Sequence, residues 1–204
     1  MIRKALSLGI LTGASMLLLA SCAPVPTHFY TLVKPLPDSE PARASYAIEV
    51  LPVSIPSQVD QPQLVIRRSD GELALAELHL WVAPLADEMR SALSSELSAR
   101  TGAIDVYRVP KNSRLDTYRI RTRVQRFESV LSGRAQLKAL WTIEPPGRDA
   151  EAITCSSLLE QDAKGGYLAL AEAHQQAISD LAEQMSLLLA ALVSNENATA
   201  SCPR

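Results

Sequence analysis

The sequence has few of the residues and motifs from which enzyme and metal sites are built. Only three of its 204 residues are histidine, and His28, His79 and His174 do not stand at metal-ligand spacing from one another or from a cysteine pair. A glycine-rich phosphate loop, a Gly-x-Ser-x-Gly elbow and a cysteine–histidine signature are all missing. We therefore expect no enzyme activity, no metal and no cofactor. A lipid-modifying enzyme assembled from distant residues is the alternative.

The sequence also lacks an excess of basic residues. It has 20 lysines and arginines against 22 acidic residues, for a formal net charge of −2 at pH 7. Affinity for nucleic acid comes mainly from a concentrated basic surface. We therefore expect no nucleic-acid partner.

The apolar run near the start of the chain is too short to span a bilayer comfortably. It covers Ala5 to Ala20, about 16 residues, whereas a spanning helix needs roughly 20. Arg3 and Lys4 precede it, and small residues follow it, as in a secretory signal with its cleavage site. The sequence therefore predicts a signal peptide over residues 1–21.

The residues that end this run, Leu19-Ala20-Ser21-Cys22, resemble the bacterial lipobox. In that motif the thiol is alkylated with a diacylglyceryl group, the signal is cleaved before the cysteine, and the new amine is acylated. The resemblance implies lipidation at Cys22 by chains such as palmitate, and Ala23 implies the periplasmic face of the outer membrane. An ordinary signal peptide with an incidental cysteine is the alternative.

After residues 1–21 are removed, 183 residues remain, about the size of one domain. We expect a single periplasmic domain over residues 22–193 and a flexible tail over 194–204, which has no hydrophobic pattern. Cys155 and Cys202 would meet an oxidising compartment. They could form a disulfide that pins the tail, or remain two free thiols.

Hydrophobic periodicity predicts strands and two amphipathic helices, and hence an α/β sandwich with a mixed, mostly antiparallel sheet. The first strand begins about six residues after Cys22, which places the folded body close to the membrane. His174 falls on the apolar stripe of the second helix, where a core histidine is the expected role. The predicted strands are Thr27–Val33, Tyr46–Ile55, Leu64–Arg68, Glu72–Leu75, Ile104–Val109, the stretch AQLKALWTI, in which Leu137, Ala139 and Trp141 share a face, and Ile153–Glu160. The first helix is predicted from Pro84 to near Gly102, and the second over Tyr167–Leu192.

The clearest alternation in the chain lies between Tyr118 and Val124. Tyr118, Ile120, Thr122 and Val124 fall on one face, and Arg119, Arg121 and Arg123 fall on the other. The arginines would form either a solvated outer face or a contact with lipid phosphates or an acidic partner.

Several segments together resemble the PqiC-like ABC-type transport auxiliary lipoproteins. They are HFYTL, VLPVSIPSQVDQPQLVIR, LHLWVAPLADEMRSALSSEL, YRIRTRVQRFES, AQLKALWTI and the closing amphipathic helix. They follow the family's order from Phe29 to Leu192. The stretch Pro-Gln-Leu-Val-x-Arg followed by Trp-x-x-Pro-Leu is the most specific, whereas the family's usual arginine before the tryptophan is Leu80 here.

The resemblance implies a three-layer α/β domain without catalysis that docks the tunnel of an MCE-domain protein and supports membrane integrity. An inner membrane permease of the same system and a homo-oligomeric ring are further implied partners. The candidate contacts are Pro56, Pro62, Leu64 and Trp81, with a place in the core as the alternative for Trp81. A structural lipoprotein of another secretion or assembly machine is the alternative function.

Overall fold

The computed structural model describes residues 25–35, 43–109, 115–147, 151–194 and 201–203. The predicted signal peptide, Cys22 and most of the predicted tail lie outside these ranges. The expectations for them therefore stay predictions.

Within the described ranges the chain forms eight strands and two long helices. The strands are β1 (His28–Tyr30), β2 (Ala47–Val50), β3 (Gln63–Ser69), β4 (Glu72–Trp81), β5 (Ile104–Asp105), β6 (Thr117–Ser129), β7 (Arg134–Glu144) and β8 (Ile153–Asp162), and the helices are α1 (Leu85–Thr101) and α2 (Tyr167–Val193). The predicted α/β class with two long helices is confirmed.

The strands divide between two sheets, where the sequence suggested one. A five-stranded sheet has the order β5-β2-β6-β7-β8, and a three-stranded sheet has the order β1-β4-β3. The long pairings are antiparallel, whereas β1 with β4 and β2 with both its neighbours are parallel. Hydrophobic alternation shows which face of a strand is buried but not which strands pair, so the division could not be read from the sequence.

Four predicted strands differ by more than two residues from the observed ones, and two of them end at a local feature. The first, predicted over Thr27–Val33, is observed over His28–Tyr30. The second ends at Val50 because Pro52 has no N–H for a sheet hydrogen bond. The fifth ends at Asp105, whose carboxylate accepts a bond from the Tyr107 amide just before Arg108 takes a φ of 60°. β4 continues six residues past Leu75 to Trp81.

The core lies between the five-stranded sheet and the helices. In β6 the predicted inward residues from Tyr118 to Val124 are all buried, as are Leu137, Ala139 and Trp141 in β7. The Trp141 indole N–H donates to Ser157 Oγ at 2.8 Å, which satisfies its one polar group. The alternation predicted from the sequence for these strands is confirmed.

The pairing of β6 with β7 shifts in register between Val124 and Arg126, so that residues both before and after the shift can face the core. After the shift Phe127 and Ser129 turn inward. There the Phe127 ring stacks on the imidazole of His174, with 3.8 Å between centroids, and Ser129 Oγ lies 2.8 Å from His174 Nε2. His174 is therefore a core histidine, as its place on the apolar stripe predicted.

The helix α1 ends where Gly102 adopts a left-handed φ of 69°, the conformation that glycine adopts at low cost. Near its start, the buried Glu88 carboxylate accepts hydrogen bonds from the Thr31 hydroxyl and the Leu32 amide, each at 2.7 Å. These bonds fasten the segment after β1 to α1.

Cys155 and Cys202 are joined by a disulfide in the structure, with their Cα atoms 5.5 Å apart. Cys155 is buried in β8, opposite Trp141 of β7. The bond thus holds residues 201–203 against the five-stranded sheet, eight residues or more beyond the end of α2.

Candidate functional site

Two hairpin turns and the start of a helix meet at one end of the domain. They are the β3–β4 turn at Asp70-Gly71, the β6–β7 turn over residues 130–133, and Tyr167 and Leu168 of α2, which together we call the hairpin end. A depression of about 290 Å³ lies among them. It is lined by Ile66, Arg67, Arg68, Ala74, Leu75, Ala76, Val130, Leu131 and Tyr167.

Several large apolar side chains at the hairpin end are exposed to solvent. The exposed fractions are 40% for Leu73, 50% for Leu75, 39% for Leu131 and 62% for Leu168. Single exposed leucines are ordinary, but several at one end of a small domain mark a contact surface.

The direction of β1 points away from this end. β1 runs parallel to β4 and pairs His28 with His79 and Tyr30 with Trp81. Residues before His28 therefore lead back toward the start of β4, where Leu73 and Leu75 lie. The site predicted for lipidation, Cys22, is three residues before Val25 and thus at most about 11 Å from it along an extended chain.

A cluster of aromatic rings joins β1, β4 and α2. The His79 ring stacks on Tyr167 with 3.6 Å between centroids and on His28 with 5.2 Å, and Tyr30 Oη lies 2.8 Å from His79 Nδ1. Burial, with a smaller electrostatic effect of the neighbouring His28, lowers the pKa of His79. The cluster holds the start of α2 against the three-stranded sheet. Its central ring, the imidazole of His79, is neutral at neutral pH.

The sequence analysis missed this cluster. Its members are 49 to 139 residues apart in the chain, except for the pair in β1. Its one local signal was the pair of alternating residues His28 and Tyr30, which places both on the same face of a strand.

A second depression, of about 360 Å³, adjoins the first and shares Arg67 and Val130 with it. Arg126 and Arg134 line it as well, but Glu128 lies 2.9 Å from Arg67 Nη2 and 3.7 Å from Arg126 Nε. Arg134 is 3.9 Å from Glu160. Because each guanidinium has a carboxylate beside it, this depression offers little free positive charge to an anion.

The predicted arginine row lies on the outer face of the five-stranded sheet, away from the helices. Arg119 pairs with Glu49 at 2.8 Å, and Arg121 pairs with Glu144. Hydrogen bonding to Glu144 raises the pKa of Arg121, so its charge is fixed. Within the described ranges Arg123 has no ion pair and is the member of the row free to meet an acidic partner.

Of the four other candidate contacts, two lie in the core. Leu64 and Trp81 are 1% and 4% exposed, and Trp81 packs against Phe127 and His174. The contact predicted for Leu64 therefore needs correction, whereas Trp81 has the place in the core that was the alternative for it. Pro62 is exposed and Pro56 is half-buried, so both stay predictions.

Arg119 lies far from the hairpin end along β6. It is ten residues before the end of that strand, which corresponds to about 33 Å. Pro62 is not beside it, because the Pro62 carbonyl accepts a bond from the amide of Trp81, whose ring packs against Phe127 near the end of β6. We call the surface around Arg119, at the start of β6, the distal end.

The described ranges contain no group of three or more side chains able to hold a metal ion. The one deeply buried imidazole that stands near a hydroxyl, His174 beside Ser129, is sealed in the core, where burial lowers its pKa to about 3. No substrate can reach that pair.

Neither α1 nor α2 has the length and apolar character of a membrane-spanning helix, and the same holds for every helix in the described residues.

The architecture is that of an α/β domain whose accessible features are surfaces for contact. The chain belongs to the family of ABC-type transport auxiliary lipoprotein components, whose model matches residues 30–186. The family resemblance inferred from the sequence is confirmed. The protein is accordingly an auxiliary component of a transport system, and its family is not one of enzymes.

Solved structures share the fold at low sequence identity. A protein of Xanthomonas campestris from the family DUF330 is 18% identical with a TM-score of 0.65, covering 86% of this chain and 100% of that one. An uncharacterized protein is 20% identical with a TM-score of 0.65, over 81% of this chain and 99% of that one. These likenesses show the fold alone.

The PelC dodecamer of Paraburkholderia phytofirmans is more distant. It is 11% identical with a TM-score of 0.41, over 70% of this chain and 88% of that one, and carries no argument about assembly. No curated protein matches the sequence at a significant level.

Proposed function

We propose that the protein is an outer-membrane lipoprotein, facing the periplasm, that docks the tunnel of an MCE-domain protein in an intermembrane lipid transport system. The observation that carries the proposal is the family match over residues 30–186, together with the lipobox-like residues that end at Cys22. Diacylglyceryl and amide-linked chains together hold a protein stably at a bilayer, whereas one chain gives only marginal binding.

The mechanism is positioning. The anchored domain holds the end of the tunnel near the outer membrane, so that lipid passes between membranes without crossing water and membrane integrity is maintained. A permease in the inner membrane supplies the driving step. The protein itself binds and orients its partner, and a homo-oligomeric ring around the tunnel mouth would extend the same contact.

The distal end is the surface we assign to the MCE-domain protein. The row from Arg123 to Arg119 runs along the outer sheet face toward it. Arg123 contributes a guanidinium that no carboxylate within the described ranges neutralises, so it fits an acidic side chain of a partner.

Co-purification tests this function. The acylated protein, extracted in mild detergent, is expected to recover an MCE-domain protein and a permease from its own cells. Arg123→Glu should reduce that recovery several-fold, because a glutamate at this position would repel the acidic side chain that the arginine attracts. Arg68→Glu is the matched control at the hairpin end, where Arg68 is also exposed, and should leave recovery unchanged.

Recovery of secretion or assembly components in place of an MCE-domain protein would overturn the proposal and favour a structural lipoprotein of that machine. Equal recovery by Arg123→Glu and Arg68→Glu would keep the partner but remove the arginine row as its site.

A further inference from the structure

The apolar side chains of the hairpin end are covered only in part by protein within the described ranges, with 39% to 62% of each side chain exposed. Leu73 and Leu75 alternate along β4, and Leu75 and Leu131 line the same depression as Tyr167, which Leu168 follows. Burying a leucine fully is worth about 1.5 to 3 kcal/mol. A surface that leaves several of them in water is therefore suited to an apolar occupant.

The start of the chain indicates which occupant this is. Six residues separate His28 from Cys22, a reach of about 20 Å. The six residues from Leu73 to His79 also span about 20 Å of strand. Because β1 is parallel to β4 and pairs His28 with His79, the direction of β1 points from the side of Leu73 toward Trp81.

We propose that the hairpin end rests in the interfacial region of the bilayer that holds the Cys22 lipids, with Leu73, Leu75, Leu131 and Leu168 among the headgroups and upper acyl chains. The proposal depends on the acylation of Cys22 in the proposed function. It adds that the domain has one orientation relative to the bilayer and does not reorient freely about the segment that joins it to Cys22.

The charges around this surface determine how the contact depends on lipid composition. Arg68 lies 3.8 Å from Glu72, and Lys164 lies 3.1 Å from Asp162. Since each cation has an acidic neighbour, the rim carries little net positive charge. Seating therefore depends on apolar insertion and should change little with the fraction of anionic lipid or with salt.

The seating also orients the rest of the domain. With the hairpin end in the bilayer, β6 leads away from the membrane, and Arg119 stands about 33 Å along the strand from Ser129. The distal end, which we assign to the MCE-domain protein, then points into the periplasm.

Site-specific fluorescence in vesicles tests the seating. The full acylated lipoprotein is reconstituted into phosphatidylethanolamine and phosphatidylglycerol vesicles, and one cysteine is introduced for a polarity-sensitive dye. The thioether at Cys22 and the bond between Cys155 and Cys202 leave the new thiol as the only reactive one. Labelling of the unsubstituted protein serves as the check on this.

The test sites are Leu75→Cys and, if that variant folds poorly, Leu168→Cys. The matched control is Leu158→Cys on the outer face of β8, where the side chain is 56% exposed. We expect blue-shifted emission at the test sites and quenching by brominated lipid at least about twofold stronger than at the control.

The outcomes separate the inference from the function on which it rests. If the protein floats with vesicles but the dye at both test sites emits as in water, the seating is wrong and the anchor stands. If the dye is shielded without quenching by brominated lipid, a second copy or another protein covers the surface, which also overturns the seating. A protein that is not acylated and does not float would contradict the proposed function itself.

Discussion

In the five-stranded sheet the inward residues of β6 and β7 lie under the helices, and the outer face is polar and crossed by ion pairs. In the three-stranded sheet β4 leaves Leu73, Leu75 and Leu78 in the solvent. Both sheets have a buried side, so stability alone does not require the exposed leucines. Both sheets contribute to the core, so the difference lies in their outer faces, because the smaller sheet exposes apolar side chains where the larger sheet has ion pairs.

The largest expected effect separates a core leucine from a surface leucine. Leu93 is buried on α1, so Leu93→Asp places an unpaired carboxylate in the core, costs more than about 4 kcal/mol and leaves the domain unfolded. Leu75→Asp at the hairpin end should change the free energy of unfolding by no more than about 0.5 kcal/mol. Urea titrations followed by circular dichroism measure both, and similar losses in the two variants would remove the contrast.

The disulfide should give the next largest effect. It closes a loop between residues 47 apart, for which loop-closure entropy predicts about 4 kcal/mol. Replacing both cysteines by alanine should lower the free energy of unfolding by that order. Uptake of two alkylating groups by the unreduced protein would show that Cys155 and Cys202 are free thiols.

Acid should then destabilise the core through His174. Burial lowers its pKa to about 3, below the unfolded value of about 6.5, so its contribution is present above pH 6.5 and is lost as the pH falls toward 3. We expect a loss on the order of 3 kcal/mol between pH 7 and pH 4.5. His174→Leu, though less stable at neutral pH, should show a correspondingly smaller loss, and an unchanged pH slope would contradict this role.

The smallest effect concerns the hairpin end. The Cys22→Ser protein, which has no lipid anchor, should retain weak affinity for vesicles, and adding Leu73→Ser and Leu75→Ser should lower its partition coefficient about tenfold. Leu158→Ser is the control and should leave partitioning unchanged. Flotation or centrifugation measures the partitioning. Equal partitioning of the hairpin-end variant and the control would show that the exposed leucines of β4 do not contribute to membrane affinity.

The sequence predicted the parts of this structure that depend on local periodicity. The alternation from Tyr118 to Val124 and the stripe of α2, including His174, placed those residues in the core correctly. Pairings between distant strands could not be predicted, because no local pattern shows that β1 lies beside β4. For that reason the ring cluster around His79 and the burial of Leu64 were both missed.

The apolar surface was missed for a related reason. Leu73 and Leu75 lie in a strand-like alternation that is typical of a half-buried sheet, and sequence alone does not say whether the apolar face is covered by protein. Here Ala76 of β4 is buried, whereas Leu73 and Leu75 alternate with it and stay exposed.

The central claim is that fatty chains on Cys22 hold this domain at the outer membrane. The most direct test is the intact mass of the mature protein isolated from outer-membrane fractions. The account predicts a chain that begins at Cys22 and carries a diacylglyceryl thioether and an amide-linked acyl chain. A mature protein found free in the periplasm, with its N-terminus unmodified, would contradict it.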